Sequence, residues 1–279
     1  MNRLIQKIKS MNHFKMFVYF FLRLAVIGVM LVQIHQQDWN NVFLCAWTLI
    51  LFMIPSFIEK KLQIELPNTL EIIIVIFIFS AEILGEIQSY YLIFDNWDSM
   101  LHTLNGFLMA AIGFSLIDIL NENENIALDL SPAFVAIFAF CFSMTVGVMW
   151  EFFEFGMDML FKTDMQKDTI IPFISSVLLN PTGANVAVNW DIHSVVINGK
   201  SWAGYIDIGL IDTMEDLFVN FIGAIIFSIF GLIYIKKRGQ HTFASRFMPK
   251  LRRPYDKSKP HPPIDDLEEL KDEMDDDLK

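Results

Sequence analysis

The sequence has few of the residues on which cysteine or histidine chemistry depends. Its two cysteines, Cys45 and Cys141, fall inside apolar runs and lack the spacing of metal ligands. We therefore interpret both as small buried hydrophobic residues. Six histidines are present without an HExxH or HxxxH pair, which disfavours a zinc protease. No nucleophile motif surrounds Ser80 or Ser99, so a serine hydrolase is poorly supported.

Most of the chain shows neither the alternation of apolar and polar residues typical of strands nor the pattern of an amphipathic helix, with one apolar and one polar face. Hydrophobic residues make up 54% of the sequence, including 27 Phe, and the excess lies in long uncharged runs. A membrane β-barrel would show alternation, and a soluble helical protein would show amphipathic stripes. The sequence therefore predicts an all-α integral membrane protein.

Long apolar runs define a membrane domain over residues 14–235. A hydrocarbon core about 30 Å thick needs about 20 apolar residues per helix. About six transmembrane helices are expected, at roughly 14–35, 41–58, 68–91, 98–120, 132–160 and 212–235. The first run is too long for a signal peptide, contains Arg23 and lacks a small-residue cleavage site, so we interpret it as a membrane helix.

The distribution of basic residues predicts that both termini are cytoplasmic. Lysine and arginine accumulate in cytoplasmic flanks, and here they lie before the first run, after the second and after the sixth: Arg3, Lys7, Lys9, Lys15, Lys60, Lys61, Lys236, Lys237 and Arg238. The loop 161–211 would then be extracytoplasmic. The flank 1–13 and the tail 236–279 would face the cytoplasm.

The tail concentrates the negative charge of the chain. Nine acidic residues and two lysines lie between Pro262 and Lys279, and the formal net charge of the whole chain is −11. This tail is basic first and acidic later, and its Pro- and charge-rich composition predicts disorder. The charge pattern gives no case for nucleic-acid binding.

The loop 161–211 contains a hairpin signal. Val188, Trp190 and Ile192 alternate with polar residues, and Asn198-Gly199 follows. An Asn-Gly pair after such alternation predicts a β-hairpin. We expect the second strand at about 201–208, so that a small extracytoplasmic β-hairpin lies between the fifth and sixth helices.

Acidic and amide residues recur at helical spacing in four of the predicted spans. Residues three, four or seven apart share one face of a helix. The four sets are Glu82 and Glu86; Asp98, His102 and Asn105; Glu151, Glu154 and Asp158; and Asp212, Asp216 and Asn220. With a cytoplasmic N-terminus, all four sets lie at the same non-cytoplasmic depth, and intramembrane ionisable residues usually serve a function. We therefore predict one shared polar site.

Several carboxylates around one imidazole suit a divalent cation such as Mg, Mn or Zn. The candidate metal ligands are Asp98, His102, Glu151, Glu154, Asp212 and Asp216. If the site is catalytic, the candidates are Asp98, His102, Glu151 and Asp216, with Glu82, Glu86, Asn105, Asp158 and Asn220 as supporting polar residues. Trp97 and Trp150 lie at the same level, where they form either an interfacial aromatic belt or a platform for a headgroup.

The motif residues also carry a family resemblance. The segments 95–102 with Gly106, 150–154, and 212–217 with Asn220 and Gly223 resemble the YjdF-like group of bacterial inner-membrane proteins, over roughly residues 68–235. The order D-x3-H, E-x2-E, D-x3-N-x2-G is similar to the VanZ-like family, which is linked to teicoplanin resistance. This resemblance implies a polytopic protein of the cell envelope but supplies no reaction. The glycopeptide link suggests an envelope lipid or a lipid-linked precursor as substrate.

Three functions are compatible with these residues. The first is a metal-assisted enzyme or binder that acts on an envelope lipid or lipid-linked headgroup. The second is an ion-coupled transporter that uses the same carboxylates, although carrier sites usually lie near the membrane midplane. The third is a non-catalytic scaffold or regulator whose acids structure the external end of the bundle. Whether the protein is an enzyme stays open at this point, as does its oligomeric state.

Overall fold

The computed structural model describes residues 13–62, 64–121, 130–237, 246–247 and 250–251. Its helices are α1 (His13–Gln36), α2 (Trp39–Leu51), α3 (Ile54–Leu62), α4 (Asn68–Phe79), α5 (Tyr90–Ile93), α6 (Trp97–Asn121), α7 (Pro132–Phe161) and α8 (Leu210–Lys236). The predicted N-terminal flank up to residue 12, the acidic loop 122–129 and the acidic end of the tail lie outside the described residues.

Five stretches of the described chain are long and apolar enough to cross a membrane. They are His13–Gln36, Trp39–Lys61, Trp97–Leu120, Pro132–Phe161 and Leu210–Lys236. Each matches a predicted run to within a few residues, and α2 and α3 together form the second despite a break at Phe52 and Met53. Large apolar side chains such as Phe17 and Phe20 are exposed on their surfaces, as expected for contact with lipid.

The third predicted run, 68–91, has a different backbone from the other five. It is α-helical only to Phe79 and continues as a π-helix over Ser80–Ile87, where the Gln88 N–H donates to the Ile83 carbonyl at 3.0 Å. In a π-helix the bonds join residues five apart, and residues four apart still lie close to one face. Glu82 is half-buried and Glu86 is exposed, and the expectation that both contribute to one polar site stays a prediction.

Local sequence signals explain where two of the spans begin. The Asp38 carboxylate accepts a hydrogen bond from the Asn41 N–H and caps α2. Ser131 caps α7 by accepting from the Phe134 N–H at 3.3 Å, and Pro132 occupies the first helical position. These caps satisfy N–H groups that have no partner within the helix.

The described chain has two apolar cores. One lies among α6, α7 and α8 and includes Leu108, Phe114, Val135, Ala139 and Phe227. The other lies among α1, α2 and α4 and includes Tyr19, Leu22, Val26, Cys45 and Val75. The prediction of burial is confirmed for Cys45 and is wrong for Cys141, which is exposed on α7.

Two glycines allow the backbones of α6 and α8 to touch. A Cβ on Gly106 would overlap the Asn220 carbonyl, and a Cβ on Gly223 would overlap the Thr103 carbonyl. Small residues allow such close approach between membrane helices. The close contacts that these glycines mark therefore lie within one chain, and they fix the first turns of α6 and α8 side by side.

The chain between α7 and α8 forms small two-stranded sheets. The strands of the described residues are β1 (Ile64–Glu65), β2 (Ile170–Ile171), β3 (Phe173–Ser176), β4 (Val188–Asp191), β5 (Val195–Ile197), β6 (Lys200–Trp202), β7 (Tyr205–Ile206) and β8 (Lys250–Leu251). The antiparallel pairs are β1–β8, β2–β7, β3–β4 and β5–β6.

The predicted hairpin is present but shorter than expected. Asn198-Gly199 joins β5 to β6, and both residues have positive φ, as this turn type requires. The alternating segment 188–191 does not pair across this turn; it pairs with β3 instead. Residues 205–206 likewise pair with β2. Alternation marked the strand correctly but could not identify its partner, because the pairing depends on segments that are distant in sequence.

Part of the predicted tail returns to the helical bundle. Phe247 is buried and its ring packs edge-on against Phe107, with centroids 5.0 Å apart. Lys250 and Leu251 pair with Glu65 and Ile64. The expected disorder of the tail from residue 252 onward concerns residues outside the described part of the chain.

Candidate functional site

The candidate site lies at the end of the bundle where α6 and α8 begin and α7 ends. Asp98 and His102 lie on the first two turns of α6, and Asp212 and Asp216 lie on the first two turns of α8. Glu151 and Glu154, in the last turns of α7, complete the end of the bundle. Because α7 is antiparallel to the other two helices at this end, three short motifs that are distant in sequence meet here.

His102 lies between acidic side chains from all three helices. Its Nδ1 is 3.8 Å from Glu151 Oε1, and its Nε2 is 3.5 Å from Asp98 Oδ1 and 3.6 Å from Asp216 Oδ2. These separations exceed the length of a good hydrogen bond. The acids therefore surround the imidazole without bonding closely to it.

Two groups of side chains have ligand atoms within 4.8 Å of one another. The first group is His102, Glu151, Glu154 and Asp216, all of which are buried, and the second is Asp98, Asp212 and Asp216. Ligands about 2.1 Å from one ion lie about 3 to 4 Å apart. Small side-chain movements would therefore bring either group to coordination distance, and the oxygen-rich donor set suits Mg, Mn or Zn.

Three carboxylate oxygens of the first group are buried without a protein partner. Glu151 Oε2, Glu154 Oε2 and Asp216 Oδ2 have no hydrogen-bond partner among the described residues. Asp216 as a residue is only 2% exposed. Burying a carboxylate without a partner costs several kcal/mol. A cation bound among these oxygens would remove that cost, so the geometry and the chemistry both fit a metal ion.

Two carboxylates of the site each accept a hydrogen bond from a neighbouring group on one oxygen, which leaves the other oxygen available as a metal ligand. The Trp150 indole N–H donates to Glu154 Oε1 at 2.9 Å. The Lys167 backbone N–H donates to Asp212 Oδ2 at 2.8 Å. Hydrogen bonds of this kind orient metal-binding carboxylates. Trp150, predicted as an interfacial or headgroup-binding residue, here fixes the orientation of Glu154.

Trp97 lies in an aromatic cluster next to the site. Its ring contacts Tyr90 edge-on, with centroids 4.9 Å apart, and lies near Phe94. Its indole N–H donates to the Ser80 carbonyl at 3.3 Å. These contacts join the start of α6 to the π-helical segment, and they fit an anchoring role better than an open platform.

Asp158 and Asp207 bind backbone N–H groups at the two ends of the loop. Asp158 accepts from the Met165 and Gln166 N–H groups at 2.7 and 2.9 Å. Asp207 accepts from the Thr169 N–H at 2.7 Å and from the Ile211 N–H at 2.9 Å. Burial by itself would raise the pKa of Asp207, but these bonds together hold it below its usual value. Asp158 belongs to neither ligand group.

The other supporting residues lie around the site rather than in it. Asn105 donates to Asn220 Oδ1 at 3.2 Å, one turn further into the bundle than His102 and Asp216. Asn220 is buried against Gly106 and Gly147. Glu82 and Glu86 belong to neither ligand group.

The sequence did not indicate three residues that border the site. Gln166 donates to Thr213 Oγ1 at 2.5 Å, and both lie close to Glu151. Lys167 is within electrostatic range of Asp98 and Asp212. Gln166 and Lys167 depend on the path of the loop after α7, for which the sequence carries no periodic signal, whereas Thr213 lies beside Asp212 on the first turn of α8.

A second buried acid was also missed, in the other half of the molecule. Glu71 of α4 is 2% exposed. Its Oε1 accepts from the Tyr19 hydroxyl at 2.7 Å, and its Oε2 forms an ion pair with Lys15 Nζ. Each oxygen of Glu71 therefore has a protein partner.

Comparison with known proteins identifies the family of the chain. The family model described as "Predicted membrane protein (DUF2238)" matches residues 16–237, which include the whole candidate site and all of the spans except the first three residues of the first one. No curated protein and no solved structure matches the chain. The match names neither the YjdF-like nor the VanZ-like group, so those two resemblances stay predictions. With five candidate spans and a match over most of its length, the chain is a multi-pass membrane protein that belongs to the DUF2238 family of predicted membrane proteins.

Proposed function

We propose that this protein binds a divalent metal ion through His102, Glu151, Glu154 and Asp216 and uses it to bind or transform an envelope lipid or a lipid-linked precursor. The observation that carries the proposal is the set of three buried carboxylate oxygens without protein partners in the ligand group around His102. A bound divalent ion polarises phosphoryl and carbonyl oxygens and lowers the pKa of a bound water. A headgroup oxygen or a water is the natural additional ligand.

The site would face the non-cytoplasmic side of a bacterial inner membrane. Lys60 and Lys61 end the second span and Lys236 ends the last one, at the opposite end of the bundle from the acids. Basic residues mark the cytoplasmic side. Counting 68–87 as a sixth span, with its α-helical and π-helical parts, gives an even number of spans and cytoplasmic termini.

The rim of the site supports entry of a headgroup from the side of the bilayer. The side chain of Asp98 is 26% exposed, whereas that of Asp216 is 3% exposed. Exposed apolar residues, among them Met149 and Phe153, surround this end of α7. A lipid could therefore keep its chains in the membrane while its headgroup reaches the open edge near Asp98.

The interior of the bundle favours this proposal over an ion-coupled carrier. Inward of Asn105 and Asn220, the buried side chains among α6, α7 and α8 are mostly Leu, Ala, Val and Phe, with the neutral Ser115 and Ser228 among them. A carrier needs polar sites toward the midplane. The acids of the two ligand groups lie at one end of the bundle, as a site for a headgroup requires.

Metal analysis of the purified protein tests the proposal. The protein would be purified in detergent without chelator, loaded with Mn²⁺ or Zn²⁺, and measured by mass spectrometry beside His102→Ala and Asp216→Asn. Glu215→Gln is the matched control, because Glu215 is exposed, adjacent to Asp216 on α8 and outside both ligand groups. We expect metal in the wild type and the control and its loss from the two site variants.

Two outcomes would contradict the proposal. A metal-free wild type under these conditions would favour an acid cluster that structures the bundle or carries protons. Metal that both site variants retain would place the ion elsewhere. Once metal is found, lipid-linked phosphates and sugars are the first substrates to assay, and Glu215→Gln is expected to retain any activity that His102→Ala lacks.

A further inference from the structure

The two ligand groups at the site share one residue. Asp216 belongs to the buried group with His102, Glu151 and Glu154 and also to the group with Asp98 and Asp212. A carboxylate has two oxygens, so one side chain can bind two ions at once. Asp216 is buried and its Oδ2 has no hydrogen-bond partner among the described residues. The Asp216 carboxylate is therefore positioned to bridge two cations.

The charge of the site exceeds what one divalent ion would neutralise. Five carboxylates belong to the two groups: Asp98, Glu151, Glu154, Asp212 and Asp216. Lys167 is the basic side chain of the described residues that acts on Asp98 and Asp212. Lys167 also pairs with Asp164, outside both groups. Two divalent ions supply four positive charges for the five carboxylates, whereas a single ion supplies only two. In a poorly hydrated site such an excess is unfavourable.

Each group also has a carboxylate whose second oxygen is held by the protein. Glu154 Oε1 accepts from Trp150 in the first group, and Asp212 Oδ2 accepts from the Lys167 N–H in the second. In both cases one oxygen is fixed and the other is left to act as a ligand. Orientation of a ligand by such a bond is a common feature of metal sites. It occurs here once in each group.

We infer that the site holds two divalent ions bridged by Asp216, the first bound by His102, Glu151 and Glu154 and the second by Asp98 and Asp212. This inference rests on the proposed function and specifies the metal centre of that same site. Ions bridged in this way lie about 3.5 to 4 Å apart. Such a pair binds oxyanions, so a phosphate-bearing headgroup is the class of ligand that fits it.

Metal stoichiometry and magnetic coupling together test the inference. The full-length protein in detergent would be loaded with Mn²⁺, freed of excess metal and measured by mass spectrometry and electron paramagnetic resonance. We expect two ions per chain and the spectrum of a spin-coupled Mn²⁺ pair. Asp212→Asn is expected to retain one ion with an uncoupled spectrum, Asp216→Asn to retain none or one weakly bound ion, and Glu215→Gln to retain the coupled pair.

The wild-type measurement decides the question even if a variant does not fold. One ion per chain would overturn the pair while leaving the single-metal function in place. No bound ion would overturn both. Two ions without spin coupling would overturn the Asp216 bridge. Retention of the coupled pair by Asp212→Asn would overturn the assignment of Asp212 as a ligand.

Discussion

Both halves of this protein bury acidic side chains, but they treat them differently. In the N-terminal half, Glu71 has a partner for each oxygen, namely the Tyr19 hydroxyl and the Lys15 ammonium. In the C-terminal half, Glu151, Glu154 and Asp216 each bury an oxygen that has neither a hydrogen bond nor a lysine or arginine partner among the described residues. The two regions are similar in burial and differ in pairing.

The difference separates a structural acid from a ligand-binding one. A buried ion pair such as that of Glu71 is complete without any further partner, and its loss leaves an unpaired charge. The acids around His102 are incomplete in the protein alone and become satisfied only by a cation or by protons. Under the proposed function, pairing more than burial distinguishes the ligand-binding acids from the structural one.

The largest expected effect comes from removing the charge of Asp216. We expect Asp216→Asn to weaken Mn²⁺ or Zn²⁺ binding by at least about 1,000-fold, which is about 4 kcal/mol, because the residue belongs to both ligand groups. Its stability without metal should be equal to or greater than that of the wild type, since a buried unpaired charge is lost. Isothermal titration calorimetry and thermal unfolding in detergent measure the two quantities. A large loss of metal-free stability would mean that Asp216 resembles Glu71.

Removing the charge of Glu71 should have the opposite effects: it should lower stability and leave metal binding intact. We expect Glu71→Gln to lower the free energy of unfolding by about 3 kcal/mol, the lower end of the range for breaking a buried pair, because Lys15 is partly exposed. Tyr19→Phe, which removes only the neutral donor, should cost about 1 kcal/mol. Unfolding by SDS titration would measure both, with metal content as the control. Lower metal content in folded Glu71→Gln would contradict the separation of the two regions.

The two halves also differ in how tightly a glycine is packed, as Gly223 of α8 and Gly28 of α1 illustrate. A Cβ on Gly223 would overlap backbone atoms of α6, whereas a Cβ on Gly28 of α1 would meet nothing within 4 Å. We expect Gly223→Ala to destabilise the protein by about 2 to 3 kcal/mol through overpacking. Gly28→Ala should be neutral or stabilising by up to about 1 kcal/mol. Thermal unfolding of the matched pair measures the difference, and equal effects would contradict the close contact of α6 with α8.

The smallest expected effect concerns the anchor of the loop at Asp207. Its carboxylate caps α8 and binds the Thr169 N–H, so Asp207→Ala should cost about 1 kcal/mol at neutral pH. Because these N–H groups hold the native pKa of Asp207 below its unfolded value of about 3.9, the stabilisation is complete above that value. It is lost as the pH falls through the native pKa. Unfolding measured from pH 7 to pH 3 should show the two proteins converging, and a constant gap would contradict this origin.

Five of the six predicted spans and the shared helical faces of the α6 and α7 acids could be predicted from the sequence, because both follow from simple periodicities. Twenty apolar residues define a span, and Asp98 and His102, or Glu151 and Glu154, share a face through helical spacing. The π-helix at 80–87 could not be predicted, because it departs from the helical period. The partners of β4 and the positions of Gln166 and Lys167 depend on contacts between segments that are distant in sequence. Glu71 was missed because its partner Lys15 was interpreted only as a cytoplasmic flanking charge.

The most direct test of the account is the shift in melting temperature that Mn²⁺ or Zn²⁺ produces in three proteins measured side by side: the wild type, Glu71→Gln and Glu151→Gln. The account predicts that metal raises the melting temperature of the wild type. Glu71→Gln should begin lower and show the same rise, whereas Glu151→Gln should begin at or above the wild-type value and show little or none. A rise that persists in Glu151→Gln, together with a starting value as low as that of Glu71→Gln, would contradict it and would make both acids structural.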